Sequence, residues 1–356
     1  MDSKKYTRFF IAALIIAGSL TALTRLLVPK YMGQVTEGAF IGEYYEDKSS
    51  HDLLILGDCE AYENISPVAL WKEYGITSWI RGSAQQLIPQ SYYLLEDTLR
   101  YETPKAVLLS ISAMQQIEQV SETYNRMTLD GMQWSDAKLM AIKNTMMPEE
   151  HFIEYVFPLL RFHSRWSDLS EDDLKYYFHG EPTTHNGYYL RADVRPAGEF
   201  PEERRVRNPE FEAKGYEYLD KIRELCDKNG IKLMFFKAPS LYPVWHEEWN
   251  MQIEDYAGTY GIPYINALKD IEKTGIDFDT DTYDGGLHMN VYGAEKVSSY
   301  LGPMLLEAGL QDHRNEPELA VLWKEKENRY EADKAAQTKE FAEKGYLAKY
   351  AGEYTH

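Results

Sequence analysis

Cysteine is scarce in this chain. Two in 356 residues, Cys59 and Cys226, exclude a disulfide-stapled scaffold, and their spacing suggests no zinc site. Positive charge is scarce as well: the formal net charge is −19, and five of the Lys and Arg residues fall within the first thirty positions. An acidic body disfavours nonspecific contact with nucleic acid or other polyanions, and no nucleic-acid motif is present. Internal repeats are absent. No cysteine follows the amino-terminal apolar run, which excludes a lipoprotein anchor.

The chain is 44% hydrophobic and 27% charged, enough apolar surface for a core and too much for wholesale disorder. Its length suits one large α/β domain with an insertion, or two smaller domains. Tyrosine (28) and tryptophan (7) offer flat faces with polar tips that suit sugar or peptide clefts, although ordinary core and surface positions account for most of them.

The amino terminus reads as a membrane signal. Lys4, Lys5 and Arg8 precede an uncharged run from Phe9 to Leu23. Extended to Val28, the run is long enough to cross a bilayer core of about 30 Å as a helix, with Arg25 able to snorkel. The leading basic residues favour a cytoplasmic amino terminus and an extracytoplasmic body. Two other readings stand beside the anchor: a signal cleaved near the small residues at 17–19, which would release the body, and an apolar core helix.

Beyond the anchor (1–30), residues 31–50 read as a linker. Strand and helix patterns then alternate across 51–310. "DLLILG", "ITSWI", "KAVLLSIS", "IKLMFF" and "PYIN" are apolar strand candidates, the first a continuous run as expected for a parallel strand buried on both faces. "SPVALWKEYG" is a helix with Ser66 as N-cap and Pro67 at its first position. A helix over 211–229 puts Cys226 on an apolar stripe with Leu219, Ile222 and Leu225. About 114–210 breaks the alternation and reads as a helical and irregular insertion. Residues 311–356 form a charged helical tail that packs through Leu319, Val321, Leu322, Trp323 and Phe341. The whole predicts a three-layer αβα, flavodoxin-like parallel sheet behind one transmembrane helix. In such sheets the ligand meets the carboxyl ends of the strands. That rule singles out Asp58 and Cys59, Arg81 to Ser83, Ser110 to Ser112, Lys237 to Ser240, and the loop from Asp284 to His288.

"LGDCE" at the end of the first strand, "RGSAQQ" after the second and "YDGGLHMNVYGAEK" near the end resemble the motifs of the SGNH (GDSL-like) hydrolases over roughly 53–112 and 211–308. The ensemble with its anchor is most similar to membrane-anchored members of Gram-positive bacteria, the D-alanyl teichoic-acid transfer and exopolysaccharide O-acetylation proteins. The resemblance implies Cys59 as nucleophile in place of the family's serine, His288 as base and Asp284 as the carboxylate behind it, with Asp281 as competitor. It implies an oxyanion hole from Cys59 and Gly82. Three departures stand out. The nucleophile is a thiol; Asp284 is four residues before His288 rather than three; and "SISAMQQ" lacks the family's oxyanion asparagine, leaving Ser112 or Gln115 as substitutes.

Candidate substrate contacts are Asp58, Arg81, Gln85, Lys237, Ser240 and Asn290, with His163 and Arg165 of "FHSRW" from the insertion. For Lys237 a structural ion pair is an equal alternative. Neither a metal nor a cofactor is implied. Asp58 and Glu60 should raise the Cys59 pKa, so the resting group should be a neutral thiol. The expected function is an extracytoplasmic acyl esterase or acyltransferase acting on a cell-surface polysaccharide or teichoic acid, working beside a membrane-bound O-acyltransferase. The alternative is a non-catalytic glycan-binding or partner protein on the same fold.

Overall fold

The computed structural model describes residues 3–29, 40–180, 182–198, 200–202 and 206–354. Five strands form its sheet: β1 (Leu53–Gly57), β2 (Ser78–Gly82), β3 (Ala106–Ser110), β4 (Lys232–Lys237) and β5 (Tyr264–Asn266). All pair in parallel, in the order β2-β1-β3-β4-β5, the flavodoxin-like order. Every residue of β1, β2 and β3 is buried, because helices cover both faces. The pleat divides the apolar runs between two cores. Leu53 and Ile55 face one with Leu108 and Phe236, while Leu54 and Leu56 face the other with Leu109 and Phe235.

Ahead of the sheet stands α1 (Ser3–Leu27). After β1 come α2 (Cys59–Tyr62) and α3 (Pro67–Tyr74), and after β2 comes α4 (Ile88–Thr98). The insertion after β3 holds α5 (Glu122–Leu129), α6 (Asp136–Thr145), α7 (Phe152–Val156), α8 (Leu159–Phe162) and α9 (Glu171–His179). Then follow α10 (Ala213–Asn229), α11 (Glu247–Tyr260), α12 (Ile271–Thr274), α13 (Val291–Glu307) and α14 (Pro317–Lys344). Helices α3, α13 and α14 cover one face; α4, α6, α10 and α11 cover the other. Ser66 caps α3 as its sequence implies, accepting from the Ala69 N–H at 3.2 Å. Cys226 is fully buried on α10.

Two peripheral expectations change. Of the expected linker, residues 31–39 lie outside the described residues, but Phe40–Glu46 is a 3-10 helix that packs on the body with Ile41 and Tyr44 buried. The tail helix α14 is held by Trp323 and Tyr330, both fully buried, and Trp323 stacks on Trp71 with ring centroids 5.0 Å apart. Val321, expected in that contact, is 66% exposed.

The order places a crossover point between β1 and β3, where the chain leaves β1 toward one side and β3 toward the other. Ligand sites of open parallel sheets form there. Cys59 and Ser112 stand at the two carboxyl ends that bound it.

Candidate active site

The apolar run of β1 stops at Gly57, whose Cβ, were there one, would lie 2.4 Å from the Ser110 Cβ. Gly82 lies opposite in the β1–β2 register, and a Cβ there would come within 2.9 Å of the Gly57 carbonyl oxygen. Only glycines let β1, β2 and β3 end this close together. Asp58 then caps α2. Its Oδ1 accepts from the Glu60 N–H at 3.1 Å, and its carbonyl accepts from Ala61 and Tyr62. The cap thus takes up the first-turn donors that follow Cys59, whose own N–H stays at the mouth of the strand.

Cys59 is half-buried and free, and it lies beside His288. Burial pushes its thiol up to about 11; the His288 charge works against this rise, and Asp58 and Glu63 add to it. Such a group is protonated at neutral pH. The imidazole behaves oppositely. Burial alone would lower the His288 pKa, but Glu63, the Cys59 sulfur and the Asp284 hydrogen bond outweigh burial and hold it well above its ordinary value.

His288 is fixed from behind. Asp284 clamps it twice, Oδ2 at 2.6 Å from Nδ1 and Oδ1 accepting from the His288 N–H at 2.8 Å. The extra residue between Asp284 and His288 is absorbed at Gly285 and Gly286, with φ of 84° and 100°. Thr282 Oγ1 ties the loop, donating to the His288 carbonyl and accepting from Gly286, both at 2.8 Å. With Nδ1 occupied, Nε2 is buried with no partner but the thiol, whose interaction with the imidazole lowers the Cys59 pKa and raises that of His288.

A second carboxylate reaches Nδ1. Glu63 Oε2 lies 3.1 Å away and also accepts from the Tyr283 hydroxyl. The Tyr283 ring is nearly parallel to the imidazole, with centroids 5.9 Å apart. Glu63 is absent from the sequence-derived candidates. The available signal was its place one helical turn after Cys59, which puts it on the same side of the chain. Its neighbour Asn64 was missed too. Asn64 accepts from the Met289 N–H at 2.7 Å and donates to Ser240 Oγ at 3.1 Å, joining the end of α2 to the loop that carries His288.

Several expected contacts are framework instead. Arg81 is fully buried, pairs with Asp97 at 3.0 Å and donates to Leu94, Thr98 and Tyr45; the pleat sends it to the α4 side of the sheet, away from the strand ends. Lys237 is buried against Glu60 at 2.7 Å, a structural pair. Ser240 is buried and held by Asn64. Asn290 caps α13, accepting from Tyr292 and Gly293, and its amide donates to Asp193 and Thr280 carbonyls. Asp58 faces inward as the cap and accepts from Ser112 Oγ at 3.1 Å, which turns Ser112 away from an oxyanion role. Burial and Glu60 push the Asp58 carboxyl up to about 7. Asp281 is taken up by Lys296 and the Asp277 N–H, leaving Asp284 with the imidazole. His163 and Arg165 lie far from the loop: Arg165 pairs with Asp173 and donates to the Leu27 carbonyl, and exposed His163 sits on the same turn. Gln85 is half-exposed just past β2 in the left-handed region (φ 51°), its carbonyl accepting from Gln119. Gln115, past β3, has a buried amide nitrogen with no hydrogen-bond partner.

No family model and no curated protein matches the sequence. Among solved structures the chain is similar to a GDSL-like lipase from Bacteroides thetaiotaomicron, at 12% identity and a TM-score of 0.35 over 76% of this chain and 99% of that one. It is also similar to a proposed lipolytic protein of the G-D-S-L family from Desulfitobacterium hafniense, at 11% identity and 0.35 over 71% and 99%. A proposed acylhydrolase from Bacteroides fragilis aligns at 11% identity and 0.34 over 80% and 94%. These scores assign no activity. The fold class stands on the strand order, and the site stands on its own geometry.

Proposed function

We propose that the chain is a membrane-anchored, extracytoplasmic acyl esterase or acyltransferase of SGNH-like design, with Cys59 as nucleophile and His288 as base. The observation that carries this reading is the setting of the imidazole: Nδ1 is held by two carboxylates, and its other side meets the Cys59 thiol. That is the arrangement of a nucleophile, a base and an orienting acid.

The steps follow from the atoms present. Cys59 Sγ attacks the acyl carbonyl carbon while Nε2 of the neutral His288 imidazole takes the thiol proton. The oxyanion is met by the Cys59 N–H left over by the Asp58 cap. The Gly82 N–H, at the end of the neighbouring strand, is the second donor this reading calls for. Collapse breaks the bond to the donor's leaving group, which departs with the proton from His288. An acceptor hydroxyl then attacks the thioester as His288 removes its proton, and the proton returns to Sγ. A glycan hydroxyl as acceptor gives transfer; water gives hydrolysis. The substrate class favoured by an anchored extracytoplasmic body is a cell-surface polysaccharide or teichoic acid, with a membrane-bound O-acyltransferase as donor partner.

The test is to present the full chain in detergent with an activated acyl ester or thioester, quench in acid and look for one acyl mass on Cys59. An adduct in wild type that is lost in Cys59→Ala and slowed in His288→Gln supports the reading. The absence of an adduct with every donor, with unchanged glycan acylation in Cys59→Ala cells, favours the non-catalytic partner instead. One observation already favours that second reading: Ser112, on the loop where the family places its oxyanion asparagine, is bonded to Asp58.

A further inference from the structure

The apolar window Tyr6–Leu27 of α1 is only 6% buried. Its carboxyl end is what the body holds. Leu27 and Val28 pack with Phe162, Leu159 and Leu169, and α1 contacts α8, α9 and the turn His163–Asp168 between them. Arg165 ties the joint, donating to the Leu27 carbonyl at 3.1 Å while both Asp173 oxygens hold it at 2.7 and 2.8 Å.

Around that joint the body shows large apolar side chains to the outside. Phe157 is 56% exposed, Leu160 52%, Trp166 71% and Phe178 70%. Ile153 with Phe157, and Leu174 with Phe178, are spaced one helical turn apart, so two exposed apolar stripes run along neighbouring elements. Scattered single residues would need no explanation, but a cluster of this kind continuous with an apolar span does. Amphipathic segments rich in Trp, Phe and Leu bury such faces at the boundary between headgroups and acyl chains.

We infer that α7, α8, the turn 163–168 and α9 form a collar that lies in the outer interface of a lipid bilayer around the emerging end of α1. The inference rests on the reading of α1 as a membrane anchor. Its occupant is a neutral lipid surface. Residues 149–179 carry seven acidic side chains against three Lys and Arg, so the rings insert by burial and electrostatic attraction to anionic lipid does not contribute. The framework behind them is stiff enough to hold that plane. Arg126 lies over the Tyr155 ring at 3.6 Å and reaches Glu154, and Arg161 pairs with Glu122 at 2.8 Å, which ties α7 and α8 to α5.

The full chain, reconstituted in phosphatidylcholine vesicles, is labelled with one environment-sensitive fluorophore at a time in a Cys59→Ala background. The sites are Phe157→Cys, Trp166→Cys and Phe178→Cys in the collar and Ile15→Cys in α1. Met251→Cys on α11, against the far sheet edge, is the aqueous control and is 55% exposed. The collar labels should emit to the blue of the control, be quenched by bromines near the headgroup end of the acyl chains, and be quenched by aqueous iodide several-fold less than the control, with no change at high salt. Unlabelled wild type should show slowed amide exchange over 152–162 and 171–179 in vesicles relative to the same segments in a short-chain detergent. Collar labels that behave like position 251 while position 15 reports lipid would overturn the collar and leave the anchor standing. Position 15 in water would remove the anchor and the collar together.

Discussion

The protonation state of Cys59 offers the most direct test of the site. Burial, with Asp58 and Glu63, sets the thiol at about 11 against the pull of His288. At pH 7 the thiolate fraction is then about 10⁻⁴, against about 3% for a thiol at 8.5, a deficit of about 300-fold. A more basic thiolate is intrinsically the better nucleophile, and a Brønsted slope of about 0.4–0.5 over this interval returns about 10–20-fold. Alkylation of Cys59 by iodoacetamide at pH 7 should therefore run about 20-fold slower than that of an unstructured thiol peptide, and it should climb with pH through the whole range up to about 10.5. The assay is peptide mass spectrometry of the full chain in detergent, pulse-labelled across pH. Cys226 serves as an internal blank, since it is fully buried and pushed up to about 12. His288→Gln removes the one charge that lowers the Cys59 pKa and should move the profile further alkaline; Asp58→Asn should move it back toward neutrality. A wild-type apparent pKa at or below about 8.5, with rapid labelling at pH 7, would mean a stored thiolate–imidazolium pair and would refute the neutral-thiol account.

Three further outcomes follow from the same contacts. Glu63→Gln removes the largest influence raising the His288 pKa, so the base form should appear at lower pH and the acid limb of an acyl-transfer pH–rate profile should shift to lower pH; an unmoved limb would assign Glu63 to packing alone. Asp58 has a folded pKa raised to about 7, above its unfolded value near 3.9, so its contribution to stability falls as pH rises between these values. Asp58→Asn should accordingly stabilise the fold at pH 8, by at most about 4 kcal/mol in denaturant titrations, with the gain vanishing toward pH 4. Asp97→Ala leaves the fully buried Arg81 without its carboxylate, and the urea midpoint should fall by the equivalent of about 3–5 kcal/mol; a change under about 1 kcal/mol would show that Tyr45 and the α4 carbonyl suffice.

What the sequence made legible is the part of the fold governed by short-range rules. Continuous apolar runs marked the strands because both faces of the sheet are covered, and Ser66-Pro67 marked a helix start because capping is local. The strand-end rule brought Cys59 and the His288 loop to one place from opposite ends of the chain. The same rule misread Arg81 and left Lys237 open between a substrate contact and a structural ion pair. It selects by position along the strand and is blind to which face the pleat sends a side chain, and each of these cations is committed to a carboxylate, Asp97 or Glu60. Glu63 was missed for the complementary reason. Its place one helical turn after Cys59 was a weak local signal, and its role depends on a loop more than two hundred residues away that turns an imidazole onto it. His163 and Arg165 looked like cleft residues by composition, and the partner that Arg165 finds at the end of α1 lies 138 residues away.

The two carboxylates behind His288 and the thiol in front of it bear on the choice between transfer and hydrolysis. An acyl group on Cys59 would be a thioester, which retains more transfer potential than an oxygen ester. Loading from a sugar ester would therefore run uphill, and loading from another thioester or an activated donor would be nearly level. Passage to a glycan hydroxyl is downhill from either. The electrostatics add a kinetic condition. With the thiol held protonated, the idle site neither attacks nor oxidises readily. It reacts once a bound donor carbonyl and the oxyanion donors stabilise the charge that leaves Sγ, so the unloaded site resists adventitious chemistry. A collar that holds the body against the membrane surface would add the remaining element, a fixed approach for a donor delivered from the bilayer. On this account the protonated thiol suppresses idle reactivity until a donor arrives, which suits a carrier of activated acyl groups better than a general esterase.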